Sequence, residues 1–314
     1  MATAFHYSTV SMLVRTLVGD EMKSFYDYHP FVIFLYFFAV IGLTMFYMQP
    51  VLLIISFSAS IILALFIDQT AFFKTAKWLV PFMFIAALIN PLMTHDGELI
   101  ILYVNHRPIT VEAIVFGFAM SIMLLAVIFW FTSFNKLMSS DKFLYLFGKI
   151  SPAVALLISV TMRLIPRFIH QITVIAHAQK TIGMDATSGS LWQRLRSLMR
   201  IISILISWAL ENAIETADSM KARGYGLKNR TTFHLFKFDR YDGIVTACIS
   251  VLFLMQVMMS YLNWTHFDYY PTFTAIELNT PTILVVISYT ILVCIPIIIE
   301  IQEALKWRSL KSTT

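Results

Sequence analysis

Five strongly apolar stretches, at about residues 31–48, 51–67, 112–134, 243–262 and 281–299, decide what this chain can fold into. Each can cross a hydrocarbon core of ~30 Å as a helix rising ~1.5 Å per residue. A sixth, at about 78–92, is shorter and needs its flanks to span. None carries the period-2 alternation of a barrel strand, so backbone polar groups must be satisfied within helices. Apolar residues make up 58% of the chain and charged residues 13%, against about 25% charge in a soluble domain. These features predict an all-α integral membrane protein.

The cations set the expected orientation. With six spans and both ends inside, 22 of the 23 Lys and Arg residues fall on one side. Arg15 and Lys23 precede the first span, Lys74 and Lys77 stand between the second and third, and Lys306, Arg308 and Lys311 follow the last. Fifteen more lie within 136–240, and only Arg107 falls outside. Cytoplasmic retention of Lys and Arg predicts this split, with both termini inside at the cell membrane. The net charge of +5 is therefore read as topology and attraction to anionic membrane lipid, not as a nucleic-acid signal. Residues 1–30 lack a continuous apolar core, so no cleavable signal peptide is expected. An N-terminal arm with Phe5, Tyr7, Leu13, Val14 and Leu17 is expected along the inner surface, and Cys248 and Cys294 as small buried residues within spans.

The outer loops are short. Leu99 to Val104, the turn Asn105-His106-Arg107-Pro108 and Ile109-Thr110-Val111 read as a hairpin. His95, Asp96, Glu98 and His106 lack zinc-type ligand spacing and read as a solvated loop, so no metal or other cofactor is expected. Trp264, Tyr269 and Tyr270 suit the membrane interface.

Residues 136–240 are too long for a loop and too apolar for a free hydrophilic domain. The expected organisation is a cytoplasmic arm at 1–30, spans one to four at 31–135, a two-helix module at 136–240, and the last two spans with a cytoplasmic tail at 241–314. Pro152 suits a first helical turn. Past Pro166, which should kink or split the helix, Phe168, Ile169, Ile172, Ile175 and Ala176 share a face, and Gly183 suits a terminator. After a loop at 184–190, a second helix is expected from about Leu191 to Arg223. Its stripe is Leu198, Ile202, Leu205, Ala209, Ala213, Ala217 and Met220, with alanines small enough for another helix to approach. Glu211, Glu215 and Asp218 lie on another face, and Lys221 follows Asp218 by three, a plausible ion pair. Arg223 reads either as a cation at a helix C-terminus or as a planar fork for a partner's carboxylate.

Met220-Lys221-Ala222-Arg223-Gly224-Tyr225-Gly226 resembles the second Ala-Arg-Gly signature of the transmembrane T component of energy-coupling factor transporters. Further matches follow in chain order over most of residues 27–240. They are His29-Pro30, Asn90-Pro91-Leu92 with His95-Asp96-Gly97, Arg107-Pro108-Ile109-Thr110, Tyr145-Leu146-Phe147-Gly148, Arg163-Leu164-Ile165-Pro166-Arg167 and Ala178-Gln179. The resemblance implies a coupling subunit that joins two cytoplasmic ATPases to a small membrane substrate-binding subunit, for uptake of a vitamin or metal micronutrient, with no enzymatic chemistry of its own. Ala222, Arg223 and Gly224 would form one ATPase contact. The other signature is degenerate: Ala178, Lys180, Thr181, Ile182 and Gly183 stand there, with Ile182 in the arginine's place. Leu198, Ile202, Leu205, Ala209, Ala213 and Ala217 would face the substrate subunit.

No Gly-x-x-x-x-Gly-Lys-Ser/Thr run is present, so ATP binding through a P-loop is not expected. Two rival readings are a membrane enzyme acting on lipid-linked substrates through His170, His177 or Asp218, and an ATPase-independent channel or secondary transporter. The first lacks convergent spacing, and the second would need ionisable residues inside spans, where only Asp68 and Glu112 lie near span ends.

Overall fold

The computed structural model describes residues 24–94, 96–104, 107–148, 152–184, 187–225, 236–274 and 279–311. The N-terminal arm, His95, His106 and Asp185 lie outside the described residues. Two units divide the chain: residues 1–143 with 236–314, and residues 144–235.

In the first unit a 3-10 turn at Phe25–Asp27 leads into α1 (Pro30–Phe46), α2 (Pro50–Ile67) and α3 (Gln69–Met93). A two-stranded hairpin, β1 (Ile100–Val104) and β2 (Arg107–Thr110), precedes α4 (Val111–Leu137) and the start of α5 (Ser140–Gly148). After the second unit come α8 (Arg240–Tyr261) and α9 (Thr280–Lys311). Pro30 and Pro50 each open a helix, where a missing N–H costs nothing. The hairpin follows the expected segments, with antiparallel pairs Leu102–Ile109 and Val104–Arg107.

The third span is longer than expected. Asp68 accepts from the Ala71 N–H at 3.0 Å and caps α3, so Lys74 and Lys77 ride on its first turns rather than in a loop. Lys136, at the end of α4, meets the Asp68 carboxylate at 2.8 Å, and this hydrogen-bonded pairing holds the Asp68 pKa well below the usual carboxylate range.

Helix α4 packs against α1, α2 and α3. The contact with α3 is closest at Gly117, where an added Cβ would stand 2.5 Å from the Ala87 carbonyl oxygen. Nearby, the Asn90 amide donates to the Ala113 carbonyl at 2.9 Å. Trp130, Tyr36 and Phe37 are fully buried and meet edge to face between α1 and α4, and the buried Tyr289 of α9 meets Tyr47 in the same way. Polar atoms in this core are joined in chains. The Trp130 indole donates to Ser56 Oγ at 3.0 Å, Ser56 meets Thr44 at 2.7 Å, and Thr44 meets the Tyr289 hydroxyl at 3.1 Å. Tyr47 donates to Gln256 Oε1 at 2.9 Å, and Gln256 donates to Ser288 Oγ at 2.7 Å. Such bonds join helices where apolar packing alone does little.

Buried and half-buried ionisable groups tie elements together. Asp242 takes the His29 N–H at 3.1 Å and the Asp239 N–H at 2.9 Å, tying the start of α1 to the start of α8. Glu300 on α9 accepts from Ser24 Oγ at 3.0 Å and from the Phe25 N–H at 3.2 Å. Glu112 is buried under the hairpin and accepts from the Leu99 N–H at 3.2 Å. Lys142 is buried over the Tyr26 ring and donates to the Leu137 and Tyr26 carbonyls; burial pushes its pKa down to about 8.

Two expectations are corrected. Tyr269 is buried rather than interfacial: it packs on Phe116 and donates to the Met48 carbonyl at 2.8 Å. Cys248 faces outward on α8, while Cys294 is half-buried.

Among the described residues six helices are long and apolar enough to cross a membrane: Pro50–Ile67, Gln69–Met93, Val111–Leu137, Leu191–Ala222, Arg240–Tyr261 and Thr280–Lys306. The chain is an all-helical, multi-pass membrane protein. This set differs from the expected one at two places. Pro30–Phe46 has 17 residues, short of the ~20 of a usual span, and Leu191–Ala222, expected within the two-helix module at 136–240, is long and apolar enough to cross.

Candidate functional site

The second unit holds two long helices, α6 (Pro152–Thr181) and α7 (Leu191–Ala222), packed on each other. Pro152 stands at the first position of α6, and Pro166 lies within it, so of the two expected alternatives the helix is not split. Ser190 caps α7 in a reciprocal capping box: Ser190 Oγ accepts from the Gln193 N–H at 3.4 Å, and Gln193 Oε1 accepts from the Ser190 N–H at 3.0 Å.

The helix–helix contact uses Phe168 against Trp208, with ring centroids 5.6 Å apart, and Arg167 Nη1 donating to Asn212 Oδ1 at 3.4 Å. Ile175 and Ile201 are the buried residues of the pair among those described. Ser197, Ile201, Leu205, Trp208, Asn212 and Thr216 form the shielded side of α7. This face was missed because Asn212 and Thr216 are polar; their recurrence every four residues was the available signal. On α6 only part of the expected face is used. Phe168 and Ala176 are half-buried and Ile175 is buried, while Ile169 is 61% and Ile172 42% exposed.

The stripe read as a partner face is mostly left open by this chain. Leu198 is 45% and Ile202 46% exposed, Ala213 and Ala217 are exposed, and Leu205 and Ala209 are half-buried. Asp218 pairs with Lys221 at 3.8 Å on the exposed side of the helix, as the spacing predicted.

Both helices end in the same way. At the end of α6 the Met184 N–H bonds to the Gln179 carbonyl at 3.0 Å and the Gly183 N–H to the Lys180 carbonyl at 3.1 Å. At the end of α7 the Tyr225 N–H bonds to the Met220 carbonyl at 3.0 Å and the Gly224 N–H to the Lys221 carbonyl at 2.9 Å. These are two Schellman caps, closed by glycines with φ of +82° at Gly183 and +74° at Gly224. Thr181-Ile182-Gly183 is thus the geometric counterpart of Ala222-Arg223-Gly224, and Lys180 of Lys221. Ala178 accepts from Thr181 Oγ1 at 2.7 Å one turn earlier. Ile182 is 63% exposed, and Ala222 and Arg223 are exposed. Among the described residues no carboxylate pairs with Arg223. The arrangement presents an apolar side chain at one tip and a guanidinium at the other. His170 and His177 are exposed on α6, and no group of three or more metal-ligating side chains occurs among the described residues.

The model of the CbiQ family, described as cobalt transport protein, matches residues 24–233, which take in most of the first unit's helices and both tips. The chain belongs to the CbiQ family. It is also similar to the energy-coupling factor transporter transmembrane protein EcfT of Bacillus selenitireducens, at 36% identity over 106 residues, 33% of this chain and 39% of that one. EcfT of Limosilactobacillus fermentum is 34% identical over 106 residues, 32% of this chain and 40% of its own. An uncharacterized MG181 homologue of Mycoplasma pneumoniae is 32% identical over 107 residues, 34% of this chain and 25% of its own. The chain therefore spans a quarter to two-fifths of the length of these curated relatives. The family is one of transporter membrane components, in agreement with the resemblance drawn from the signature residues.

Proposed function

We propose that this chain is the coupling subunit of an energy-coupling factor importer. Two cytoplasmic ATPases dock on the tips of α6 and α7, and a small membrane subunit that binds the substrate lies on the apolar stripe of α7. The observation that carries this reading is the pair of matched helix caps: two long helices that end in the same geometry are suited to deliver motion to, or receive it from, two partners of similar shape. The exposed Arg223 guanidinium, which no carboxylate pairs with among the described residues, supports a charge-assisted contact with a partner carboxylate, which is stronger than a neutral hydrogen bond. The open part of the stripe, Leu198, Ile202, Ala213 and Ala217, supports a second, apolar contact, because these residues lie outside the shielded side of α7, which takes only Leu205 from the stripe. Movement of the tips when the ATPases close would reach the substrate subunit through α6 and α7. The cargo, a vitamin or a metal ion, would be bound by the other membrane subunit, and this chain would perform no chemistry on it.

The cation split further supports placement of both termini and of residues 136–240 in the cytoplasm, at the cell membrane. The test is purification of the tagged chain from its own cells and identification of the chains that come with it. Two ATPases and a small membrane protein are expected, and their absence would overturn the reading. Single cysteines at Asn105 and Ser188 should label from opposite sides of intact cells; labelling of both from outside would overturn the orientation.

A further inference from the structure

The tip of α6 lacks the cation that its counterpart displays. Ile182 and Arg223 hold equivalent positions in equivalent caps, yet Ile182 puts an apolar side chain, 63% exposed, where a guanidinium would stand. A cavity of about 320 Å³ opens beside this tip. Gly183, Met184, Ser188 and Gly189 line one side, and Arg196 and Arg200 line the other. Arginines four apart on a helix are neighbours on one face, ~5–6 Å apart at Cβ, so both can reach one guest. Among the described residues neither has an acidic partner. Arg200 points Nη1 at the Met184 sulfur, a weak acceptor that does not neutralise it. No Asp or Glu occurs in the sequence from Thr187 to Leu210, so the first five turns of α7 supply positive charge alone.

We propose that this cavity receives a carboxylate side chain of the ATPase docked at the α6 tip, and that Arg196 and Arg200 supply the charge that Ile182 does not. The inference rests on the coupling reading above. Guanidinium groups match a carboxylate in planar, two-point geometry. Met184 lines the cavity and the exposed Ile182 precedes the lining Gly183, apolar surface that suits a protein side chain better than a free, fully hydrated anion. The two tips are then chemically distinct: charge is presented at the apex of α7, but recessed one helix away from the apex of α6.

The experiment uses the whole complex, captured through a tag on this chain and washed in rising NaCl. Arg196→Gln combined with Arg200→Gln should lower ATPase retention by about 30-fold or more, as expected for a partner charge left unpaired. Arg194→Gln, outside the cavity lining, should leave retention unchanged. Ile182→Arg in the doubly substituted background should restore much of it. Full retention by the double variant, when the wild type also retains its ATPases, would overturn the inference and leave the coupling reading standing. A wild type that retains no ATPase would sink both. A matching fall in the melting temperature of the isolated chain would show that the arginines pair internally, and would also overturn it. So would intact retention accompanied by lost binding of inorganic phosphate or of phosphatidylglycerol vesicles, which would assign the cavity to another anion.

Discussion

Replacing Asp242 tests how the first and second-to-last helices of the membrane unit are joined. The carboxylate is fully buried and serves two donors, the His29 N–H at 3.1 Å and the Asp239 N–H at 2.9 Å. A hydrogen bond to a charged group is worth ~1.5–3 kcal/mol, and a buried donor left without its acceptor costs as much. His29 is buried, so its N–H bears that loss in full; Asp239 is exposed, so water recovers part of the second. Asp242→Ala should therefore cost about 2–4 kcal/mol. Asp242→Asn keeps one acceptor oxygen, which will turn to the more buried His29 N–H, and should cost about half as much. Denaturant unfolding of the purified chain in detergent gives the energies, and hydrogen exchange at the His29 amide locates them. An Ala variant within about 0.5 kcal/mol of wild type, or an Asn variant as damaging as Ala, would refute the reasoning.

At Gly117 an added methyl would press on the Ala87 carbonyl oxygen, so Gly117→Ala should lose about 1–3 kcal/mol by the same unfolding assay. Gly42→Ala, whose Cβ would meet nothing within 4 Å, is the control and should lose nothing comparable. Lys142 ionises at about 8 in the folded chain against an ordinary 10.5, so the unfolded chain holds more protons between these values. Stability should rise with pH across that window and stay flat with respect to this group below it; Lys142→Met should remove the slope, and an unchanged slope would count against the burial argument. Ala213→Phe should release the small membrane subunit on purification while the ATPases stay, and unchanged stoichiometry would reject the α7 stripe as its seat.

The spans were legible because membrane helices need long apolar runs and little else. The start of α3 was not, because Lys74 and Lys77 broke the run although the helix continues through them from its Asp68 cap. The amphipathic character of α7 was also legible, but its packed side was not. Asn212 and Trp208 face α6, with Thr216 half-buried one turn on, whereas most of the more apolar stripe stays open. Hydrophobic spacing ranks faces by apolarity, and a helix with a second partner need not spend its most apolar face on the first. Tyr269, Asp242 and Glu300 escaped for a related reason. Each satisfies its polar atoms with a backbone or side-chain partner distant in sequence, which no local pattern reports. The glycines at 183 and 224 were readable as helix terminators, yet the identity of the two caps emerged only from their paired backbone hydrogen bonds.

The central claim is that the α7 tip couples to an ATPase through Arg223. ATPase retention by the purified Arg223→Ala complex tests it most directly. If Arg223 only neutralises its own helix end, removal costs ~0.3–1 kcal/mol of local stability and the complex stays whole. The coupling account predicts a loss of ~2–5 kcal/mol in association, about 30-fold or more in retention, with partial rescue by Arg223→Lys and a milder effect of Ile182→Ala. Full retention of both ATPases by Arg223→Ala would contradict it.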